Sequence, residues 1–241
     1  EALAAYQQAA ALAGLHVVGI DCHIGSQITE IAPYLDAAAR LLDVVELVEA
    51  AGIALPHIDF GGGLGIAYNG ETPPAADALC QQILALLDAR GMGQRQLVFE
   101  PGRSLVGNAG VCVTEVLYLK HGQSKNFCIV DAAMNDLPRP AMYQAYHQIV
   151  PLEQSAAAQA STYDVVGPVC ESGDWLGNER RLSVQQGDLL AVMSAGAYCM
   201  SMASNYNSRA RAAEVLVADG QVHLIGEREP FAALVQRERM L

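Results

Sequence analysis

The sequence is poor in basic residues and has no long apolar run. Lysine and arginine total 14 against 26 aspartates and glutamates, a formal net charge of −12, which argues against nucleic acid because its phosphates require a basic face. The longest apolar run, Leu189 to Ala197, is broken by Ser194 and Gly196 and is far shorter than the ~20 residues of a membrane span. We therefore expect neither a nucleic-acid partner nor a membrane.

Cysteine pairs of the CxxC type are absent. The six cysteines are scattered, so neither a metal site nor a disulfide framework is predicted, and reduced cysteines fit a cytoplasmic protein. Lysine is rarer still, since only Lys120 and Lys125 are present. The chain begins at Glu1 within a predicted helix, and we expect its natural N-terminus to be absent.

Residues 1–107 predict repeated β/α units. Apolar runs begin at His16, His57 and Leu97, at intervals of 41 and 40 residues, and each is followed by a glycine-rich or polar segment. Helical patterns with one apolar face fill residues 33–51 and 74–90. Continuously apolar strands joined by helices indicate a parallel sheet, and polar strand ends favour part of a (β/α) barrel, which needs eight such units.

Residues 108–241 predict a second, mostly antiparallel β domain. Strand-like runs cover residues 111–119, 127–131, 163–169, 188–193, 214–218 and 221–225. Asp219 and Gly220 lie between the last two and predict a hairpin. Residues 153–161 are rich in Ala, Gln and Ser and predict a surface loop.

The segment Glu100-Pro101-Gly102-Arg103 ends an apolar strand. Parallel α/β folds carry their chemistry at such carboxyl ends, and a carboxylate beside a guanidinium suits a ligand with both charges. Glu100 could pair with a protonated pyridine nitrogen. The alternative is an ion pair with Arg103.

Two neighbouring strand ends carry further candidates. Gly61, Gly62 and Gly63 could let backbone amides converge on a phosphate, or they could form only a tight βα turn. His23 could stack on a flat ring, or be an ordinary imidazole. Ser26 could donate a hydrogen bond to the same phosphate.

Three segments of the second domain also carry candidates. Arg139, in a turn that leads to Tyr143, could clamp a carboxylate or belong to a surface loop. Cys170 and Glu171 could supply a proton donor and an ammonium binder, although a buried cysteine beside a solvated glutamate is the more ordinary arrangement. Tyr198 could cap a phosphate or simply pack.

Taken together, these motifs resemble the pyridoxal-phosphate-dependent diaminopimelate decarboxylases of the alanine-racemase-like fold. The matching segments occur in the family's order along nearly the whole chain: His23 to Gln27, the triple glycine, Glu100 to Arg103, Met134 to Asp136 with Arg139 and Pro140, and Cys170 to Ser172. The resemblance implies the C-terminal half of a cofactor-binding (β/α)8 barrel followed by a β domain.

The resemblance also implies a role for each cofactor residue. His23 would stack on the ring, Glu100 would hold the ring nitrogen, and Ser26 would lie near the phosphate. The further phosphate contacts would come from these residues: Gly61, Gly62, Gly63, Gly102 and Tyr198.

For the substrate, the resemblance implies an amino acid held by its charges. Arg103, Arg139 and Tyr143 would hold carboxylates, with Tyr198 nearby. Cys170 would deliver a proton after carbon dioxide leaves, and Glu171 would bind the distal amino group. Both would enter from the partner subunit, which implies a homodimer.

The main departure from the family is the missing lysine that bonds covalently to the cofactor. Neither Lys120 nor Lys125 matches its position, so we expect this chain to lack the first part of the barrel and to be inactive alone. The implied reaction converts meso-2,6-diaminopimelate to L-lysine. Alternatives are a related decarboxylase acting on ornithine, arginine, carboxynorspermidine or a carrier-bound amino acid, or a non-catalytic regulator that kept the fold.

Overall fold

The computed structural model describes residues 1–153 and 159–239, and the chain divides into two compact units, Glu1–Leu105 and Val106–Leu241. The first unit is a β/α unit. Its elements are α1 (Ala2–Ala10), β1 (Gly19–Asp21), α2 (Ala32–Ala50), β2 (His57–Asp59), α3 (Ala76–Ala89) and β3 (Gln96–Val98). A short helix, α4 (Arg103–Val106), spans the division.

The three strands of the first unit form a parallel sheet in the order β1-β2-β3, with Gly19, His57 and Gln96 in register. The predicted β/α arrangement is therefore confirmed. The two long helices supply much of the core through the residues at helical spacing on their inner faces, with Leu42, Val45, Ile83 and Leu87 fully buried. This periodicity is what the sequence predicted.

Both long helices end in the same way, at a glycine in the left-handed region. Gly52 (φ 85°) follows α2 and Gly91 (φ 69°) follows α3. At α2 the amide of Gly52 donates to Glu49 and that of Ile53 to Val48, and α3 repeats this pattern. These are Schellman motifs, which satisfy carbonyls that the helix end would otherwise leave unpaired.

The second unit is mostly sheet, as predicted. Its elements are β4 (Cys112–Lys120), β5 (Phe127–Val130), α5 (Arg139–Tyr143), β6 (Ile149–Pro151), β7 (Ser161–Val166), β8 (Trp175–Leu182), β9 (Leu189–Val192), β10 (Glu214–Ala218), β11 (Gln221–Gly226) and α6 (Phe231–Val235). Six strands form one sheet in the order β6-β9-β4-β5-β7-β8, in which only β5 and β7 pair in parallel.

The last two strands, β10 and β11, form a separate antiparallel pair. Asp219 (φ 52°) and Gly220 (φ 71°) occupy its two-residue turn, which confirms the predicted hairpin because two successive positive φ angles define the tight turn that matches strand twist. Of the predicted surface loop at 153–161, residues 154–158 lie outside the described residues. No helix in the described ranges is long and apolar enough to cross a bilayer.

Two strands of the large sheet were not predicted. β8 contains Asn178, Glu179, Arg180 and Arg181, and a run of charges lacks the alternation that identifies a strand. Glu179 adopts a φ of 54°, and the pairing of β7 with β8 shifts register along its length. β6 is only three residues long and ends in Pro151, so its pattern is too short to be distinctive.

Candidate functional site

The three parallel strands of the first unit end in a cluster of carboxylates. Asp21 and Asp59 are the last residues of β1 and β2 and lie in register, while Glu100 follows β3 by two residues. One carboxylate oxygen from each lies within 4.8 Å of the other two. Like charges this close repel one another, so the cluster suits a cationic partner. Acidic groups alone do not assign a metal, and no metal is inferred.

The triple glycine lies against the neighbouring strand ends. A Cβ placed on Gly62 would come 2.2 Å from the carbonyl oxygen of Glu100, and one on Gly63 would come 2.1 Å from that of Gly25. Gly63 also has a φ of 95°, which side chains rarely adopt. Glycine is therefore required here by close backbone approach as well as by conformation.

Two of the three glycine amides already have acceptors within the protein. The amide of Gly61 donates to Asp59 Oδ1 (2.8 Å), and that of Gly62 donates to His23 Nδ1 (3.2 Å). The second bond orients the exposed imidazole and leaves its Nε2 to carry the proton. Among the described residues, the amide of Gly63 meets no acceptor, so it is the one available to an anion.

Gln27, which the motif analysis included in the segment from His23 to Gln27 without a role of its own, joins two of these loops. Its side-chain amide donates to the carbonyl of Ile66 (2.6 Å) and accepts from the amide of the same residue (3.1 Å). Its own backbone is left-handed, with a φ of 58°. A polar residue directly after Ser26 was the available signal, but its partner lies 39 residues away.

Arg103 is buried, and its guanidinium contacts two hydroxyls. Nη1 donates to Tyr68 Oη (2.5 Å) and Nη2 to Ser26 Oγ (3.0 Å). The structure thus brings together two predicted residues and adds Tyr68, which the sequence did not single out. Gly102 is exposed and immediately precedes α4, which begins at Arg103.

On the second unit, three predicted residues form one group. The Arg139 guanidinium carbon lies 5.8 Å from the centre of the Tyr143 ring and 5.6 Å from that of Tyr198, distances at which a cation and an aromatic ring attract each other. Arg139 is buried, whereas Tyr143 is 59% and Tyr198 36% exposed. The two rings are therefore available to a ligand beside the guanidinium.

The loop that precedes Arg139 is held by a buried amide. Asn135 is 1% exposed, its Oδ1 accepts from Arg209 Nε (2.8 Å), and its Nδ2 donates to the carbonyl of Ser204 (3.3 Å). Arg209 also donates to the carbonyl of Asp131 (2.5 Å). Hydrogen bonds therefore join residues 204–209 to the loop that precedes Arg139.

Asp174 connects that loop to the one carrying Cys170 and Glu171. Its buried carboxylate accepts from the amides of Met134 and Val169, both at 2.7 Å. Charge-assisted bonds of this kind are short and strong. Asp174 was missed because an acidic residue three positions after Glu171 carries no motif of its own.

Cys170 and Glu171 are both exposed. One oxygen of Glu171 accepts from the hydroxyl of Tyr206 (3.2 Å). This hydrogen bond to the carboxylate, and the carboxylate's charge, raise the pKa of Tyr206 above its ordinary value. The Tyr206 hydroxyl therefore stays a donor at neutral pH.

The two lysines of the chain lie at the end of β4 and in the segment that follows it. Lys125 forms an ion pair with Asp164 that raises the pKa of its ammonium group, so the amine stays protonated. Lys120 is the exposed last residue of β4. Both belong to the second unit, and the carboxylate cluster belongs to the first.

A family model described as "pyridoxal-dependent decarboxylase, C-terminal sheet domain" matches residues 7–196. The chain belongs to the pyridoxal-dependent decarboxylase family. Among curated members, the diaminopimelate decarboxylase of Pseudomonas aeruginosa is 52% identical over 100% of this chain and 57% of its own length. That of Vibrio cholerae is 50% identical over 98% of this chain and 56% of its own.

A solved structure of the decarboxylase from M. jannaschii, in complex with L-lysine, has 37% identity and a TM-score of 0.94, and the match covers 100% of this chain and 56% of that one. The chain thus spans about half the length of the relatives it matches. The structural likeness confirms the predicted fold class, and the family match confirms the predicted resemblance.

The residues present fit pyridoxal phosphate, the cofactor after which this decarboxylase family is named. A glycine cradle that a Cβ would fill lies beside an exposed imidazole and three clustered carboxylates. Such a set offers backbone contact to a phosphate and negative charge to a protonated ring. Both lysines of the chain belong to the second unit.

Proposed function

We propose that this chain supplies the C-terminal part of a pyridoxal-phosphate-dependent diaminopimelate decarboxylase, which converts meso-2,6-diaminopimelate to L-lysine and carbon dioxide. The observation that carries the substrate assignment is a pair of opposite charges on the second unit. Arg139 offers a buried guanidinium between two tyrosines, and Glu171 offers an exposed carboxylate. In the homodimer proposed below, Arg139 of one protomer and Glu171 of the other would suit a substrate with a carboxylate and a distal ammonium. The names of the most similar relatives support the same reaction.

The first unit would hold the cofactor. Glu100 would pair with the ring nitrogen, and the neighbouring carboxylates of Asp21 and Asp59 would favour the protonated form of that nitrogen. His23 would stack on the ring. Ser26, Gly102, Arg103 and the amide of Gly63 would contact the phosphate, whereas Gly61 and Gly62, whose amides donate to Asp59 and His23, would shape the loop around it. When bound, pyridoxal phosphate supplies an electron sink for the electron pair left by carbon dioxide.

The remaining residues act on the substrate. Arg103, Arg139 and Tyr143 would hold its carboxylates, with Tyr198 beside them. Cys170 would return a proton from Sγ to the carbon that lost carbon dioxide, and Glu171 would bind the distal ammonium. General acid catalysis of this kind contributes about 10²–10⁴-fold to rate.

We propose further that the active enzyme is a cytoplasmic homodimer in which Cys170 and Glu171 serve the partner's site. The hairpin β10–β11 supports association, because its apolar side chains are mostly exposed: Val215, Leu216, Val217, Val222, Leu224 and Ile225. Val215 pairs with Leu224 and Val217 with Val222, so these four side chains share one face of the hairpin, and an exposed apolar face of this kind marks an interaction site. The spacing of the six cysteines contains no CxxC pair, a pattern that fits a reducing compartment.

The runner-up is a related decarboxylase with another diamino acid as substrate, and a non-catalytic regulator is the third candidate. Nothing in the geometry favours either. The relatives of about 50% identity are named diaminopimelate decarboxylases, which favours the first reading.

The deciding experiment joins this chain to the part of the Pseudomonas aeruginosa relative that it does not cover, which we call the fusion enzyme. We expect the fusion enzyme to release carbon dioxide from meso-2,6-diaminopimelate and the chain alone to release none. Cys170→Ala should lower kcat about 10²-fold or more, whereas Tyr118→Phe, an exposed tyrosine on β4, should change nothing. Preferential release from ornithine would support the runner-up, and a folded, cofactor-binding fusion enzyme inactive on every diamino acid would support the regulator.

A further inference from the structure

Tyr206 contacts Glu171 although the two are 35 residues apart. The phenol Oη lies 3.2 Å from Glu171 Oε2. The other oxygen, Oε1, has only a long contact of 3.4 Å with the amide of Gly173. Both side chains are exposed, and Tyr206 is 46% accessible. Tyr206 therefore orients the Glu171 carboxylate through Oε2, and Oε1 can accept a further hydrogen bond from a ligand.

The position of Tyr206 is set by a constrained turn. The next two residues, Asn207 and Ser208, have φ angles of 60° and 55°, a conformation that persists only when its surroundings hold it. Asn205 Nδ2 closes the turn by donating to the carbonyl of Arg209 (3.0 Å). Arg209 is in turn bonded to the buried Asn135.

Glu171 is anchored just as firmly. Its amide donates to the carbonyl of Val169 (2.8 Å), and its carbonyl accepts from the amide of Asp174 (3.0 Å). The Asp174 carboxylate accepts from the Val169 amide. A hydrogen bond between two anchored residues selects one rotamer of a side chain that otherwise samples many.

We propose that Tyr206 is a positioning residue that holds the Glu171 carboxylate for the distal ammonium of an amino-acid substrate. The inference rests on the proposed function. Orienting the carboxylate before the substrate arrives lowers the entropy lost on binding. Because the phenol donates to only one oxygen, acceptor capacity remains for an ammonium group. Tyr206 acts through Glu171 and is assigned no contact with the reacting carbon.

The first test measures the contact in this chain and does not depend on activity. Tyrosines labelled with ¹³C at Cζ are titrated by NMR, and the Tyr206 signal is assigned by its loss in Tyr206→Phe. We expect Tyr206 to titrate above the ordinary tyrosine value of about 10, and Glu171→Gln to lower the Tyr206 midpoint towards that value. An unchanged Tyr206 midpoint in Glu171→Gln would overturn the proposal.

The second test measures the role in the fusion enzyme. Loss of one orienting hydrogen bond corresponds to roughly a fivefold to tenfold effect. Tyr206→Phe should therefore raise KM for meso-2,6-diaminopimelate by roughly that factor and leave kcat within about twofold. The preference for L-lysine over L-norleucine, which lacks the distal ammonium, should shrink in parallel, while Tyr118→Phe keeps both.

The outcomes separate this inference from the proposed function. If the unsubstituted fusion enzyme binds L-lysine no better than L-norleucine, the substrate assignment fails and the role of Tyr206 fails with it. If it does prefer L-lysine and Tyr206→Phe keeps the full preference, only the positioning role is overturned. A drop in kcat with the preference intact would indicate a merely structural residue and would also overturn the role.

Discussion

Gly62 lies so close to Glu100 that their backbones leave no room for a side chain. A Cβ on Gly62 would be 2.2 Å from the Glu100 carbonyl oxygen, a backbone atom that cannot turn aside. The Glu100 amide also donates to the carbonyl of Gly61 (2.8 Å). The glycine loop and the strand end that carries the proposed ring partner are therefore one rigid assembly.

Gly62→Ala should disrupt this assembly. Forcing a methyl group into a packed position costs about 1 to 3 kcal/mol, and the shift needed to relieve it would displace Glu100. We expect lower stability in denaturant unfolding and weaker binding of pyridoxal phosphate by the fusion enzyme. Gly14→Ala is the matched control, because a Cβ there meets nothing within 4 Å. Equal behaviour of the two variants would contradict the steric argument.

Asp174→Ala should destabilise the second unit. It removes the acceptor of two hydrogen bonds, from Met134 and Val169, at a position 4% exposed. Leaving the amides of Met134 and Val169 without an acceptor should cost about 2 to 4 kcal/mol of folding free energy in all. Urea unfolding provides the measurement, and Asp219→Asn, at a left-handed turn position that asparagine tolerates, should be near neutral. A loss below about 1 kcal/mol would show that the two loops do not depend on Asp174.

The ion pair of Glu49 with Arg95 should make the free energy of unfolding depend on pH in the acidic range. Hydrogen bonding to Arg95 lowers the pKa of Glu49, so the folded state favours the ionised carboxylate. The stabilisation is complete above the unfolded pKa of about 4.3 and is lost as pH falls through the lower folded pKa. The stability difference between the unsubstituted chain and Glu49→Gln should be constant from pH 5 to 7 and shrink below about pH 4.

The control for this titration is Asp36→Asn. Asp36 pairs with Arg40 on the surface, with side chains 65% and 77% exposed, and exposed pairs contribute little. Its stability difference should stay small at every pH. A Glu49→Gln difference that does not change between pH 6 and pH 3 would refute the linkage.

The thiols should differ sharply in reactivity. Burial raises the pKa of Cys128 to about 12, so at pH 8 only about one thiol in ten thousand is the reactive thiolate. Cys170 is exposed. Iodoacetamide followed by peptide mass spectrometry should label Cys170 first, and Cys128 only after denaturant is added. Early labelling of Cys128 in the folded chain would be incompatible with its burial.

The chain alone should form no covalent lysine adduct with pyridoxal phosphate. Lys125 is held protonated by Asp164, and a protonated amine is not a nucleophile. Addition of the cofactor and borohydride should therefore leave no stoichiometric pyridoxyl label in the intact mass. We assign the lysine that bonds to the cofactor to the part of the relatives that this chain does not span. A full label on Lys120 or Lys125 would contradict that assignment.

Local sequence was sufficient for the elements whose cause is local. The ends of α2 and α3 follow from Gly52 and Gly91, and the β10–β11 hairpin follows from Asp219 and Gly220. In each case a few adjacent residues specify the backbone angles. β8 was missed because its pairing with β7 overrides a charged sequence that has no strand pattern of its own.

For the site, the sequence by itself determined which kinds of chemistry the chain carries: the carboxylate of Glu100, the glycine loop, the guanidinium of Arg139 and the Cys170-Glu171 pair. Tertiary structure decided their neighbours. Only folding brings Asp21 and Asp59 to Glu100, Asp174 to Met134, and Tyr206 to Glu171. The physical reason is that a residue type and its backbone preference are local properties. A hydrogen bond between residues 35 or 40 positions apart depends instead on how strands and loops pack.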